Sequence, residues 1–399
     1  MMCGALSGDA LRERRGELES ALCGGEVFWR EMPFRIESPQ WVSLYPEIDA
    51  ALSALSDSAL ASLLDDNAAL LAWLGERAEL PILSGRLIVV PRLLQESSRS
   101  TDPRHVWGVP GRKLQQIEAF LDAAGAVSDE LLEWCSGKGH LGRLHHLRFG
   151  PPVVSLEIDE ALCAEGARLA DRAGVKSQRF VCADALGPQA RELLDRRHVF
   201  ALHACGDLHR NLVSAAAIST GVGLDLAPCC YYRLGTPNYQ PFARESRLAL
   251  TRDDLHLAVT ETVTAPAREI RGRDRETAMK LAFVAWRSES IGEGYHTFKP
   301  VPDAWMRLGL AGFLGRMCQR EGIAPPPSSS IATLEAEGHR RLKLMMRRSV
   351  VRLAFRRIME LWLVCDLAEP LLLAGFEVGI REFCARKLTP RNLMLSARR

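Results

Sequence analysis

Between Glu130 and Leu226 short apolar runs alternate with helical segments, and no other feature restricts the chain as much. The runs Glu130–Trp134, Val153–Glu157, Gln178–Cys182, His198–His203 and Val222–Leu226 each span five or six residues, the length of an ordinary strand. Between them Leu141–Leu147, Glu160–Ala173, Pro188–Asp195 and Leu208–Ala217 read as helices. Strands joined by crossovers of that length run parallel, because a hairpin needs only a few residues and a parallel return needs a helix's worth of chain. The predicted fold class is therefore α/β, a doubly wound, Rossmann-like sheet with helices on both faces. Two later runs, Gly375–Phe383 and Asn392–Ala397, flank a turn at Leu388–Arg391 and predict an antiparallel hairpin that joins the sheet.

The remaining sequence is helical in texture. Residues 1 to about 95 are rich in Ala, Leu, Glu and Arg, with helical spacing in Ile48–Leu55 and Ala59–Leu80. Arg86–Pro91 reads equally as a short strand or a helix end. Glu96–Pro103, dense in Ser, Arg, Asp and Pro, marks the boundary between a helical N-terminal domain (1–105) and a catalytic domain (106–399). That second domain carries a helical insertion over about 235–370, with helices at Arg268–Trp286, Pro302–Glu321 and Ile331–Leu367 and a linker at Ala324–Ser330. No stretch approaches the roughly 18 apolar residues of a membrane helix, and the first residues lack the basic and apolar regions of a secretory signal. These features predict a cytoplasmic protein.

Leu131–Leu144 reads as strand, turn and helix start, with Gly137, Gly139 and Gly142 in G-x-G-x-x-G register inside Glu133-Trp-Cys-Ser-Gly-Lys-Gly-His-Leu-Gly142. Such a turn brings a ligand against the backbone, Cys135 included, and the helix N-terminus offers unpaired N–H groups. Glu157 ends the next strand 18 residues after Gly139, close to the spacing of roughly 20 at which an acid holds ribose hydroxyls. These features fit a dinucleotide or S-adenosylmethionine equally. Glu133 separates the two, since an acid ahead of the turn pairs with a cationic amino group and repels a pyrophosphate. Asp184, at the end of the third strand, is placed for an adenine amino group.

The chemistry is expected beyond the fourth and fifth strands. His203, Cys205 and Asp207 follow one and Pro228–Tyr232 the other, so both groups face the ligand edge of the sheet. His203 and Asp207 are candidate proton acceptors, His203 also a donor contact; Tyr231 or Tyr232 can stack on a base or orient a nucleophile. Cys229, beside Cys230, can act as a nucleophile, although packing is the commoner use of a small buried thiol. Eleven cysteines in odd number predict no disulfide framework. With no Cys-x-x-Cys pair, and with the adjacency of Cys229 and Cys230 poor for one tetrahedral ion, no metal site is predicted. His145, His146 and His209 read as surface residues, and Lys138 as a cover for the ligand or a cap on carbonyls.

Together Glu133–Gly142, Leu202-His-Ala-Cys-Gly-Asp-Leu208, Pro228-Cys-Cys-Tyr231 and Leu388-Thr-Pro-Arg-Asn392 resemble the methyltransferase-domain family of methyltransferase-like and "ribosomal RNA adenine dimethylase domain-containing" proteins. The likeness covers roughly 110–399. The chain is similar, more distantly, to eukaryotic tRNA 2′-O-methyltransferases, which share a Gly-Lys-Gly loop and a Cys-Cys pair. The resemblance implies a class I methyltransferase sheet ending in an antiparallel hairpin. It also implies that Glu133, Gly137, Gly139, Glu157 and Asp184 bind S-adenosyl-L-methionine as cofactor. No Asn/Asp-Pro-Pro-Tyr motif is present, which removes support for adenine dimethylation.

Charge suggests the acceptor. Residues 1–110 carry 10 Lys/Arg against 16 Asp/Glu, whereas 338–399 carry 14 against 5. Arg348, Arg352 and Arg356 recur every fourth residue and predict one basic helix face for RNA. The expected enzyme is thus an S-adenosylmethionine-dependent methyltransferase acting on a macromolecule, RNA (tRNA or rRNA) before protein. The alternatives are a protein methyltransferase, a degenerate fold serving as a binding subunit, and an NAD-dependent oxidoreductase. The sequence leaves oligomeric state open.

Overall fold

A computed structural model describes residues 6–92, 105–127, 129–221, 223–260, 267–292 and 295–399. They divide into two compact units, one of Met1–Cys23, Arg86–Val263 and Arg356–Arg399, the other of Gly24–Gly85 and Thr264–Phe355. The grouping differs from a boundary at residue 105, and the loop chosen for that boundary lies outside the described residues. Segments far apart in sequence share a core in each unit, which local composition cannot register.

The first unit holds one eight-stranded sheet: β1 (Leu6–Ser7), β2 (Leu131–Trp134), β3 (Val153–Glu157), β4 (Gln178–Cys182), β5 (His198–Cys205), β6 (Gly223–Cys229), β7 (Glu377–Glu382) and β8 (Leu393–Arg398). Its order is β1-β7-β8-β6-β5-β2-β3-β4. Strands β2 to β6 pair in parallel. The pairs β6–β8, β7–β8 and β1–β7 are antiparallel. The predicted strands and terminal hairpin are present within a residue or two, except that β5 runs on to Cys205 and β6 to Cys229. β1 has only two residues and so no periodicity to read. Arg86–Pro91 forms a 3₁₀ turn over Gly85–Ile88, and Arg92 adds a single bridge to Glu382.

Burial explains the pattern. Every residue of β2 and of β6 is buried, as expected for central strands covered on both faces. Helix Glu160–Arg172 starts where Asp159 accepts from the N–H groups of Ala161 and Leu162 at 2.8 and 3.1 Å. On one face the helix Gly111–Ala124 seats Phe120 edge-on to Phe200 at 5.4 Å and Phe383 at 5.8 Å. Burying such a ring contributes roughly 1.5–3 kcal/mol. The seam between the parallel and antiparallel parts is polar: buried Asp225 on β6 accepts from His198 (2.8 Å), Ser396 (2.5 Å) and Arg398 (2.7 Å). Truncating Asp225 strands three donors at the centre of the sheet.

From β2 the chain steps outward to β3 and β4, then returns to the other side of β2 as β5. The crevice of a doubly wound sheet opens at such a reversal, outside the strands' carboxyl ends.

The second unit is helical among its described residues. Ala267–Ile291 and Ile331–Leu353 approach so closely at Gly338 that a Cβ there would lie 2.4 Å from the Ala278 carbonyl oxygen. Phe283, Phe313, Leu314 and Met317 fill the core beside them. The predicted arginine face does not form. Arg348 grips Asp49 through two bonds of 2.9 Å, and buried Arg352 donates to the Trp29 carbonyl at 2.8 Å. The helix stops at Leu353, and Arg356, also buried, opens the next helix in the first unit. A four-residue spacing makes one face only while the helix continues. No helix among the described residues is long and apolar enough to cross a membrane.

Candidate active site

A cavity of about 500 Å³ opens at the carboxyl ends of β2 and β5, within the usual range of ligand pockets. Glu133, Cys135, Gly137 and His140 line it from the glycine-rich turn, and His203 from β5. The helix Gly111–Ala124 supplies the opposite wall with Arg112, Lys113, Gln116 and Ile117.

The turn is held by tight packing. Gly139 has φ +64°, and a Cβ there would sit 2.5 Å from both Gln178 Nε2 and Phe180 Cζ. At Gly142 a Cβ would meet Glu133 Oε2 at 2.7 Å and Val153 Cγ1 at 2.5 Å. These two glycines let the helix His140–Phe149 start directly over the sheet.

Glu133 is buried; its carboxylate accepts from Leu141 N–H (3.2 Å) and Ser155 Oγ (2.9 Å). Burial pushes its pKa up to about 7, against the pull of these donors and of Lys113. Glu157 Oε2 accepts from Gly137 N–H at 2.8 Å, while Oε1 accepts from Ile158 and Asp159 N–H at 3.0 and 3.1 Å. Asp184 Oδ1 accepts from Leu186 N–H at 2.9 Å. Glu157 and Asp184 stand outside the cavity lining, beyond β3 and β4, and Glu157 reaches it through Gly137. Lys138 pairs with Glu165 at 2.7 Å. Cys135 has φ +53°, and burial raises its thiol to about 12.

Beyond β5 and β6 the backbone is strained. His203 and Cys230 take φ +66° and +46°, conformations costly for residues with a Cβ, and β5 bulges between Leu202 and Ala204. His203 Nε2 lies 3.2 Å from Gln116 Oε1, so the neutral ring donates from Nε2. Burial, with Arg391 and Lys113 nearby, lowers its pKa to about 4. Asp207 Oδ2 accepts from Gly235 N–H at 2.6 Å, and Asp207 N–H donates to the Arg233 carbonyl; the residue holds the loop after β6.

Cys229 is buried, its Sγ 3.2 Å from Cys205 Sγ and donating to the His203 carbonyl at 3.2 Å. With Cys230, the three sulfur atoms lie within 4.8 Å of one another. The group is assembled across two strands, out of reach of linear spacing. The neighbouring Cys229 and Cys205 thiols, with the cations Arg233 and Arg391, hold Cys230 below the usual thiol range.

Several expected roles are corrected by burial. Tyr231 is 1 % exposed and packs edge-on to His209 at 5.6 Å, beneath the site where no substrate base can stack. Tyr232, half-buried, stacks on His256 at 3.9 Å. His145 and His209 are core residues, 0 % and 1 % exposed, and burial lowers each to about 4. Among the expected residues, the cavity gathers Glu133, Cys135, Gly137 and His203, but not Asp207, Cys229 or Tyr231.

Gln116, Lys113 and Arg112 were not singled out from sequence. The available signal was the polar i, i+4 pair Arg112 and Gln116 on an amphipathic helix. Both donate to the Leu388 carbonyl, Arg112 at 2.9 and 2.6 Å and Gln116 at 3.3 Å. This explains the Leu388–Asn392 motif as a brace: buried Asn392 donates to Cys384 O at 2.9 Å and accepts from Arg357 at 3.0 Å.

Residues 112–237 match the profile of a family described as a methyltransferase domain. That segment runs from the cavity's helical wall through β2–β6 to the loop after Tyr232, and the sheet with its terminal hairpin is the Rossmann-like, class I methyltransferase fold. Over those residues the chain therefore matches a methyltransferase domain.

Among solved structures it is similar to geranyl diphosphate C-methyltransferase from Streptomyces coelicolor A3(2), in complex with Mg2+, geranyl diphosphate and S-adenosyl-L-homocysteine. Identity is 19 %, over 29 % of this chain and 45 % of that one, with TM-score 0.25. A putative sarcosine dimethylglycine methyltransferase from Galdieria sulphuraria aligns at 14 % identity over 28 % and 43 %, TM-score 0.24. The [4+2]-cyclase SpnF aligns at 14 % over 34 % and 51 %, TM-score 0.25. The match spans about half the length of these proteins or less.

Proposed function

We propose that this protein transfers the methyl group of S-adenosylmethionine to an RNA, with the donor in the cavity between β2 and β5. The observation that carries the reading is the turn itself: Glu157 bound to Gly137 N–H beside a cavity lined by Glu133, Cys135 and His203. In this reading Glu157 exchanges part of its backbone hydrogen bonding for the ribose hydroxyls, and Asp184 takes the adenine amino group. Gly137 and Cys135 give the ligand close access to the backbone, while Gly139 packs the turn against the sheet. Glu133 faces the donor's cationic methionine end.

Glu133 sets a pH signature. A carboxyl near 7 in the free protein ionises when a cation binds beside it, so donor affinity rises with pH through about 6 to 8.

Methyl transfer is an in-line displacement at carbon, so alignment supplies much of the rate. His203, neutral and held by Gln116, orients an acceptor O–H or N–H through Nδ1. A base this weak leaves the proton in place until attack on the methyl carbon has made it acidic. Asp207 maintains the loop beside it. Exposed Arg112 and Lys113 at the cavity wall give it a cationic side suited to phosphate; this wall supports an RNA acceptor now that Arg348, Arg352 and Arg356 are engaged inside the protein.

Two measurements test the reading. Calorimetry should show S-adenosylmethionine and its demethylated product binding without competition from NAD; binding of NAD alone would overturn the donor assignment. Tritiated methyl transfer into total RNA and total protein from a deletion strain should label RNA, and Lys113→Glu should reduce that label. Label in protein alone would replace RNA with a protein acceptor.

A further inference from the structure

Three cysteines at the ends of two neighbouring strands take no part in holding the donor. Cys205 ends β5, Cys229 ends β6, and the two are register partners in the parallel pair. Cys230 follows immediately. In a regular strand Cys229 and Cys230 would point to opposite faces. Here the left-handed φ of Cys230 breaks the alternation, and the bulge at His203 resets it on β5. Two costly backbone conformations thus accompany the gathering of three thiols, with all sulfur atoms within 4.8 Å of one another and Cys205 to Cys229 at 3.2 Å. Three sulfurs about 2.3 Å from one ion stand roughly 4 Å apart, a spacing that this cluster accommodates.

We propose that Cys205, Cys229 and Cys230 form a three-thiolate site for one soft cation of filled d shell, zinc above all. Thiolate donors select this class of ion over magnesium or calcium. Binding makes three sulfur–metal bonds and releases the protons that the three thiols still carry. The centre carries one net negative charge with Zn2+. Arg233 and Arg391 place positive charge beside Cys230, which offsets it. Cys205 and Cys230 are half-buried and Cys229 is buried, so the ion has a path inward, and a tetrahedral ion has one position left for water or a substrate atom. The site adjoins the donor cavity through one residue: the His203 carbonyl accepts from Cys229, and His203 lines the cavity. The inference does not depend on which acceptor is methylated.

The experiment uses the full chain, purified under reductant. Wild-type protein titrated with Co2+ should show sulfur-to-cobalt charge-transfer absorption saturating at one equivalent, displaced by Zn2+, and elemental analysis should give one zinc per chain after loading. Cys205→Ser, Cys229→Ser and Cys230→Ser should each lose the band, while Cys23→Ser keeps it. Binding of the demethylated donor, measured on the same samples, reports folding and keeps the donor assignment separate: a variant that binds donor but not cobalt supports the site. Absence of a stoichiometric band in wild-type protein that binds donor would overturn it. So would persistence of the band in Cys205→Ser and Cys230→Ser, or mass-spectrometric recovery of these thiols as a native disulfide.

Discussion

The two halves of the sheet's carboxyl edge are built by opposite means. At β2–β4 the acidic side chains are satisfied by nearby backbone or a single hydroxyl: Glu133 by Leu141 N–H and Ser155, Glu157 by Gly137, Ile158 and Asp159 N–H, Asp184 by Leu186 N–H. At β5–β6 the residues are placed by backbone strain and by partners on other segments: His203 by a bulge and Gln116, Asp207 by Gly235, Cys229 by Cys205. The first half is organised around the glycine-rich turn and is readable in the sequence. The other half depends on the whole unit, which is where one fold can change its acceptor without changing its donor.

Their pH responses sharpen the contrast. His209, fully buried after β5, has its pKa lowered from 6.5 to about 4 by burial. The unfolded chain therefore binds the proton first: the stability His209 contributes is present above 6.5 and lost as pH falls through about 4. The slope approaches about 1.4 kcal/mol per pH unit from this residue, or about 3 kcal/mol over the whole interval. Glu133 has the opposite sign, because its pKa is raised from 4.5 to about 7; its contribution is present below 4.5 and lost as pH rises through about 7. Chemical denaturation from pH 4 to 8 checks both, with His209→Phe flattening the acid limb and Glu133→Gln the neutral one. Unchanged limbs in the variants would erase the distinction.

Next in size, Gly139→Val puts a branched side chain at positive φ against Gln178 and Phe180. It should cost about 2–4 kcal/mol in thermal unfolding and abolish donor binding. Glu157→Ala removes the charged acceptor of the turn and should weaken donor affinity on the order of 100-fold by calorimetry, two charge-assisted bonds being worth about that much; undiminished affinity removes Glu157 from the ribose role. Smallest is Gln116→Ala, which frees His203 and should lower kcat by roughly 10-fold while leaving donor affinity within about twofold. A donor-binding defect of equal size would show the two halves to be one device.

How much was readable follows the same division. The strands β2, β3 and β4, the glycine turn and the position of Glu157 follow from short apolar runs of strand length and from spacing along the chain. The helical regions were also visible, though not that residues 24–85 and those after 264 share one unit. Tyr231 misled, because a polar residue beside a motif reads as functional until its burial is known, and His145 and His209 read as surface residues although both lie in the core. Arg348 and Arg352 misled likewise, since their acceptors, Asp49 and the Trp29 carbonyl, lie about 300 residues away in the chain.

The sequence by itself determined the order of elements, the parallel sheet with its closing hairpin and the glycine-rich turn, since each rests on periodicity or on a spacing written along the chain. Only the tertiary structure decided that Gln116 and Lys113 face His203 across a cavity, that Leu388–Asn392 is a brace and that three cysteines converge. Those are contacts between strand ends and distant helices, and a linear spacing carries no record of a register shift or a left-handed residue that turns a side chain toward its partner.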